Sequence, residues 1–97
     1  MSLQFQWDPH KESKNKRKHK IVFKEAASVF ADFLSASMPD PEPDPDHSME
    51  EDRFIIVGYS NKRRPLMVSY TERGNQIRII SARKLTPVER VQYEETI

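Results

Sequence analysis

The 97-residue sequence predicts an α+β domain, in which a short N-terminal strand and two helices precede a three-stranded antiparallel meander and a C-terminal helix. Three observations predict it. Residues 54–60, 66–72 and 77–83 are rich in β-branched and aromatic side chains, and turn signals at Asn61–Pro65 and Gly74-Asn75 separate them. Ala26, Val29, Phe30 and Phe33 recur at i, i+3, i+4 and i+7, which is a core-facing helical stripe. Thr86-Pro87-Val88-Glu89 has the pattern of a capping box with proline at the first helical position.

Each element has its own local reason. Gln4-Phe5-Gln6-Trp7 alternates polar and apolar and reads as a short strand. Asp8-Pro9 starts a helix, because Asp8 can accept from free backbone N–H groups and proline suits the first turn. His10 to His19 is then a basic helix with almost no apolar stripe, so only its neighbours can hold it down. Ile21-Val22-Phe23 is a short apolar connection, and the second helix runs from Lys24 to Phe33. From Pro39 to Pro45 every other residue is proline, which lacks a donor and disfavours helix in the residue before it. Residues 39–52 therefore read as an acidic, proline-rich loop. Phe54 to Ser60 is apolar on both faces until Gly58, as a central strand is. Leu66, Val68 and Tyr70 share one face of the next strand. In the last strand, alternation puts Arg78, Ile80, Ala82 and Lys84 on one face and Ile77, Ile79, Ser81 and Arg83 on the other. A final helix runs from Pro87 to about Glu95, with Glu89, Arg90 and Tyr93 at helical spacing. The helices are expected mainly on one face of the sheet.

The length suits a single domain, residues 1–97, with a modest core. No apolar run approaches the roughly 18 residues of a membrane span. The first apolar cluster, Phe5 and Trp7, is followed at once by Asp8, unlike a signal peptide. There is no cysteine, which fits a reducing, cytoplasmic setting. A net charge of +1 hides strong segregation. Pro9 to Lys20 carries six Lys/Arg against Glu12; Asp40 to Asp52 carries seven acids and no base; Arg53 to Arg90 carries nine Lys/Arg against Glu72 and Glu89. Two basic blocks suit a polyanion such as RNA, and the acidic block suits a solvated loop, an internal counterweight or a dock for a basic partner. His47 with Asp44 and Asp46 has no metal-ligand spacing, and neither a metal nor another cofactor is implied. The charges of Tyr70 to Lys84 fit either a solvated sheet face or a cationic site on rigid strands.

These residues also carry a resemblance. The chain resembles the BrnT family of type II toxins, which share the RelE-like ribonuclease fold. The resemblance rests on F-Q-W-D at Phe5–Asp8, K-H at Lys18-His19 and F-x-E-A-A-x-x-F from Phe23 to Phe30. It continues with P-D-H-S-x-x-E-x-R-F from Pro45 to Phe54. It is strongest in Y-T-E-R-G-x-x-I-R-I-I-S-A-R-K from Tyr70 to Lys84, followed by E-R-x-x-Y at Glu89, Arg90 and Tyr93. One departure is Lys20, where the family commonly places glycine. The other is the longer proline-acid run before His47. The resemblance implies an RNA-cleaving toxin that shuts down translation. It implies neutralisation by a BrnA-type ribbon-helix-helix antitoxin, with operator DNA bound only through the toxin–antitoxin complex. It implies assembly with the antitoxin, for which a heterotetramer is one form, and an exposed edge strand could also pair two copies as a homodimer. A non-catalytic nucleic-acid-binding or antitoxin-docking module is the alternative.

Such a ribonuclease needs a base for the ribose 2′-hydroxyl, cations around the phosphate and an acid for the 5′ oxygen. Arg83, at a strand end, can present a fork of donors to two phosphate oxygens, or pair with Glu89. His19 is the candidate base, since its ordinary pKa lies near working pH; a helix cap is the bland alternative. Glu72 is the second candidate base, and Arg73 beside it is site or surface. Tyr93 can orient substrate or supply a proton, or sit in the core with its hydroxyl outward. Arg78 and Lys84 add cations on the strand. Lys14, Lys16, Arg17 and Lys18 read as substrate guidance that weakens with salt. Trp7, Tyr59 and Tyr70 could stack bases but lie within strand patterns and suit the core.

Overall fold

A computed structural model describes residues 3–40 and 52–96. Its strands are β1 (Gln4–Trp7), β2 (Ala36–Pro39), β3 (Phe54–Tyr59), β4 (Pro65–Arg73) and β5 (Gln76–Lys84). Its helices are α1 (Pro9–His19), α2 (Phe23–Ser28) and α3 (Pro87–Thr96). The expected meander is present as β3–β4–β5, but it is the centre of a five-stranded mixed sheet in the order β1-β5-β4-β3-β2. The first strand joins it in parallel, with Gln4 opposite Gln76 and Trp7 opposite Ile79. At the far edge β2 pairs antiparallel with β3, so Pro39, expected in a loop, lies opposite Phe54. Proline is tolerated there because β2 is an edge strand. Residues 41–51 of the acidic loop, including Asp44, Asp46 and His47, lie outside the described residues.

The core forms where one face of the sheet meets the segment from Ile21 to Phe30. Ile21, Phe23, Ala26, Val29, Leu66 and Val68 are fully buried, and Ile56, Tyr70, Ile77, Ile79 and Ala82 nearly so. Each large side chain among them contributes about 1.5–3 kcal/mol. Trp7 meets Phe23 edge-on at 6.0 Å, and Tyr70 lies between Phe30 and Phe54 at 5.0 and 5.6 Å. These aromatics are packing groups.

Three expectations are corrected. The second helix does not reach Phe33: α2 ends at Ser28, a 3-10 turn covers Val29–Ala31, and Phe33 is 98% exposed. Polar bonds override the apolar period here. The Asp32 carboxylate accepts from Leu34 N at 3.1 Å and Tyr59 N at 2.7 Å, and Asp32 itself is extended (φ −72°, ψ 118°). Gly58 permits this approach, because a Cβ there would meet Ser35 Cβ at 2.8 Å. Next, the alternation of β5 breaks. The β4–β5 register slips by one residue, with Ser69 opposite Ser81 but Tyr70 opposite Ile79, so Ile80 is a bulge. Ala82 consequently joins Ile77 and Ile79 in the core, while Ser81 and Arg83 share the other face with Arg78. Finally, the helices are not on one face. One face carries α2, α1 runs along the edge of β5, and α3 meets Tyr59 and Arg83 on the opposite face.

The sheet also holds a buried ion pair that sequence reading did not find. Glu25, 2% exposed, accepts from Arg64 through both carboxylate oxygens and from Ser60 Oγ at 2.7 Å. Burial pushes its carboxyl up, but the bonds from Arg64 and Ser60 outweigh that and hold it below the usual range. It ties α2 to the β3–β4 turn.

Candidate active site

The first helix begins as expected. Asp8 Oδ1 accepts from His10 N at 2.8 Å, and Pro9 occupies the first turn. It then lies beside β5 in the same direction. The Arg78 charge bears on Asp8, Asn15 bonds to Ala82, and the Arg83 charge bears on His19. Eleven helical residues at 1.5 Å rise and five strand residues at 3.3 Å both span about 16 Å, so the two elements stay in step.

This arrangement opens a cleft of about 390 Å³ between α1 and the sheet. Lys11, Lys14, Asn15, Lys18 and His19 line it from the helix, at i, i+3, i+4, i+7 and i+8. Ile80 and Ser81 line it from β5, and Arg53 from the position just before β3. Among the described residues no carboxylate lines it. The imidazole of His19 is half-buried, and its pKa is lowered by burial, then by the charges of Lys18 and Arg83. It is therefore neutral at pH 7 and able to accept a proton.

Arg83 takes the alternative open to it. Its Nη1 and Nη2 donate to Glu89 Oε1 and Oε2 at 2.7 and 2.9 Å. Nη1 also reaches Lys84 O at 3.2 Å, and Nη2 reaches Met67 Sδ at 3.4 Å. Four of the five guanidinium donors are thus engaged, which leaves Nε. Glu89 is fixed in turn by the capping box of α3, accepting from Thr86 N at 2.9 Å and donating its own N–H to Thr86 Oγ1 at 3.2 Å. Arg83, then the Thr86 amide, hold the Glu89 carboxyl at about 2.

A family model described as the ribonuclease toxin BrnT of type II toxin–antitoxin systems matches residues 7–89. The chain belongs to the BrnT ribonuclease toxins. The crystal structure of the Brucella abortus ribonuclease toxin BrnT is similar, with a TM-score of 0.62 over 88% of this chain and 99% of that one. At 24% identity that likeness speaks to the fold. No curated protein sequence matched. Membership in a type II family implies an antitoxin partner. Among the described residues no helix is long and apolar enough to cross a membrane.

The BrnT residues nominated from sequence divide into those the fold gathers and those it does not. Lys14, Lys18 and His19 share the cleft, with Arg83 and Glu89 beside it. Lys16 and Arg17 are exposed on other sides of α1, and Lys84 is exposed at the end of β5. Arg78 stands at the Asp8 end of the helix. Glu72 and Arg73 pair with Ile77 and Gln76 beside the hairpin turn. That is about 20 Å along the strand from Arg83, too far to act with His19. Tyr93 is buried against Tyr59 at 6.2 Å and donates its hydroxyl to Leu34 O at 3.0 Å. Burial, then Asp32, push its pKa up, so its proton is committed to structure. Sequence reading missed Lys11, Asn15, Arg53 and Ser81. Helical spacing from His19 would have found Lys11 and Asn15. Only the order of the strands in the sheet brings Ser81, and Arg53 just before β3, to the cleft.

Proposed function

We propose that this BrnT protein cleaves RNA in the cleft between α1 and β5. The observation that carries the reading is a neutral, half-buried His19 set among Lys11, Lys14, Lys18 and Arg53. His19 removes the proton of a ribose 2′-hydroxyl. O2′ then bonds to phosphorus and the bond from phosphorus to O5′ breaks, leaving a 2′,3′-cyclic phosphate and a 5′-hydroxyl. The ammonium groups meet the charge that builds on phosphate, and one of them protonates the departing oxygen. No step calls on a metal ion. Burial, then the charges of Lys18 and Arg83, keep His19 neutral, and Glu89 holds Arg83 in place. In the cell the protein stops translation from the cytoplasm, on a RelE-like plan. A BrnA-type ribbon-helix-helix antitoxin neutralises it, and the heterotetrameric complex binds operator DNA.

One observation favours a second reading, a nucleic-acid-binding module without catalysis: the Arg83 fork is largely spent on Glu89. Purified protein and a labelled single-stranded RNA, in the presence of a chelator, separate the two. The parent should cut to cyclic-phosphate ends, and His19→Ala should cut roughly 100- to 10,000-fold more slowly, as loss of a general base implies. A parent that binds RNA and leaves it whole establishes the second reading. Equal cutting by parent and variant removes His19 from the chemistry.

A further inference from the structure

Asn15 is the buried residue of α1, 6% exposed on a helix otherwise turned to solvent. Its Oδ1 accepts from Ala82 N at 3.0 Å, and its Nδ2 donates to Ile21 O at 3.0 Å. Both bonds replace something the fold leaves out. The first strand stops at Trp7, opposite Ile79, so further along β5 has no strand neighbour on this edge. The Ala82 amide faces that edge, and the Asn15 carbonyl stands where the missing strand's carbonyl would be. The amide nitrogen then ties down Ile21, where the chain has turned away from the helix. His19 lies between these attachments, one helical turn after Asn15 and two residues before Ile21. No apolar face on α1 does this work instead.

We infer that Asn15 is a positioning residue, which sets the distance and rotation of His19 against Ser81 and Arg83. The inference rests on the reading of His19 as the base. Asn15 acts through His19, because its own carbonyl and amide are bonded to main chain. Without it, Ala82 N–H and Ile21 O lose buried partners, and the helix can roll or slide along β5.

The test compares the parent with Asn15→Ala, Asn15→Asp and His19→Ala. It measures cleavage rates against RNA concentration, at a pH where His19 is neutral in every variant. It also records the His19 ring signals by NMR. Asn15→Asp is nearly isosteric and keeps an acceptor for Ala82; it loses the donor to Ile21 and adds a negative charge that Lys11, Lys14 and Lys18 offset, so it is the variant expected to fold where Asn15→Ala does not. For Asn15→Ala, kcat should fall roughly 10–100-fold, since an ångström of misplacement costs up to about 100-fold. KM should change less than kcat, because diffuse attraction between lysines and phosphates tolerates a small shift of the helix better than proton transfer does, and Asn15→Asp should lose less kcat. The His19 signals should move in both Asn15 variants. A folded Asn15 variant that keeps the parent's kcat overturns the inference, as does a rise in KM alone. If His19→Ala cuts as fast as the parent, the catalytic reading fails by itself. Unmoved His19 signals in the Asn15 variants then sink the positioning role separately.

Discussion

The second helix meets the sheet through Phe23 and Ala26, both fully buried, and Glu25 anchors it again through Arg64 and Ser60. The first helix buries no apolar side chain. It is held by Asn15 and by Glu12, whose carboxylate accepts from Phe23 N at 2.9 Å. That bond caps α2, whose own N-cap residue, Val22, has no side chain to offer. A helix fixed by apolar area gives that face to the core. A helix fixed by a few hydrogen bonds keeps a whole face for other uses, and α1 turns Lys11, Lys14, Lys18 and His19 into a cleft. Stability and the proposed chemistry are thus divided between two helices that follow one another in the chain.

The division is broken most directly at Glu25. Replacing Glu25 with Ala leaves the Arg64 guanidinium and the Ser60 hydroxyl without their buried partner. Loss of a buried partner costs about 3–5 kcal/mol, which the partial exposure of Arg64 reduces to about 2–4. Urea unfolding should show that loss, while cleavage per folded molecule stays at the parental rate. A fall in kcat at full folding would show that α2 also shapes the cleft. Glu89 comes next, since it serves α3 and Arg83 together. Its folded pKa of about 2 lies below the ordinary glutamate value of 4.5, so its stabilisation is complete above pH 4.5 and is lost as pH falls toward 2. With both partners about one-third exposed, solvent screening leaves about 1–2 kcal/mol. The stability gap between the parent and Glu89→Gln should close between pH 5 and pH 2; a gap that stays constant would put the loss in the α3 cap alone. Glu12→Ala removes a cap from α2 by a change in α1, and should cost about 1 kcal/mol. If it costs nothing measurable, the two helices are less coupled than the Phe23 bond implies.

How far the sequence discloses this arrangement depends on the range of each interaction. The meander was legible because period-2 runs and the Gly74 turn are local. The parallel pairing of Gln4–Trp7 with Gln76–Ile79 joins opposite ends of the chain, and nothing local announces it. Ala-Ser-Met-Pro carries no strand pattern of its own and becomes β2 because β3 offers it an edge. The stripe through Phe33 was a true helical period that lost to the carboxylate of Asp32. The site divides in the same way. His19, Lys14 and Lys18, which share the cleft, could be nominated from an ordinary pKa and from charge, and the pairing of Arg83 with Glu89 from their closeness in sequence; Lys11 was missed. The Ile80 bulge, which changes the face of every later residue on β5, could not be read from residue types. Neither could the arrival of Arg53.

The smallest expected effect lies where α1 ends. Lys20 caps the helix in the left-handed region, at φ 62° and ψ 29°, with its N–H bonded to Lys16 O at 3.0 Å. Only glycine adopts that conformation without a steric cost, and Lys20 stands where the resemblance noted from the sequence commonly places glycine. The second helix has no such cap, because it runs on through Val29 into the 3-10 turn. Lys20→Gly removes the strain at α1 alone. The gain is partly offset by the greater freedom of glycine in the unfolded chain, leaving about 0.5–1 kcal/mol of stabilisation. For a domain of this size that raises Tm by about 2–8 °C. Lys20 does not line the cleft, so the cleavage rate should not change. A lowered Tm would mean that the exposed lysine stem contributes more than its backbone costs. An unchanged Tm with faster cleavage would place the strain in the orientation of His19, the residue immediately before it.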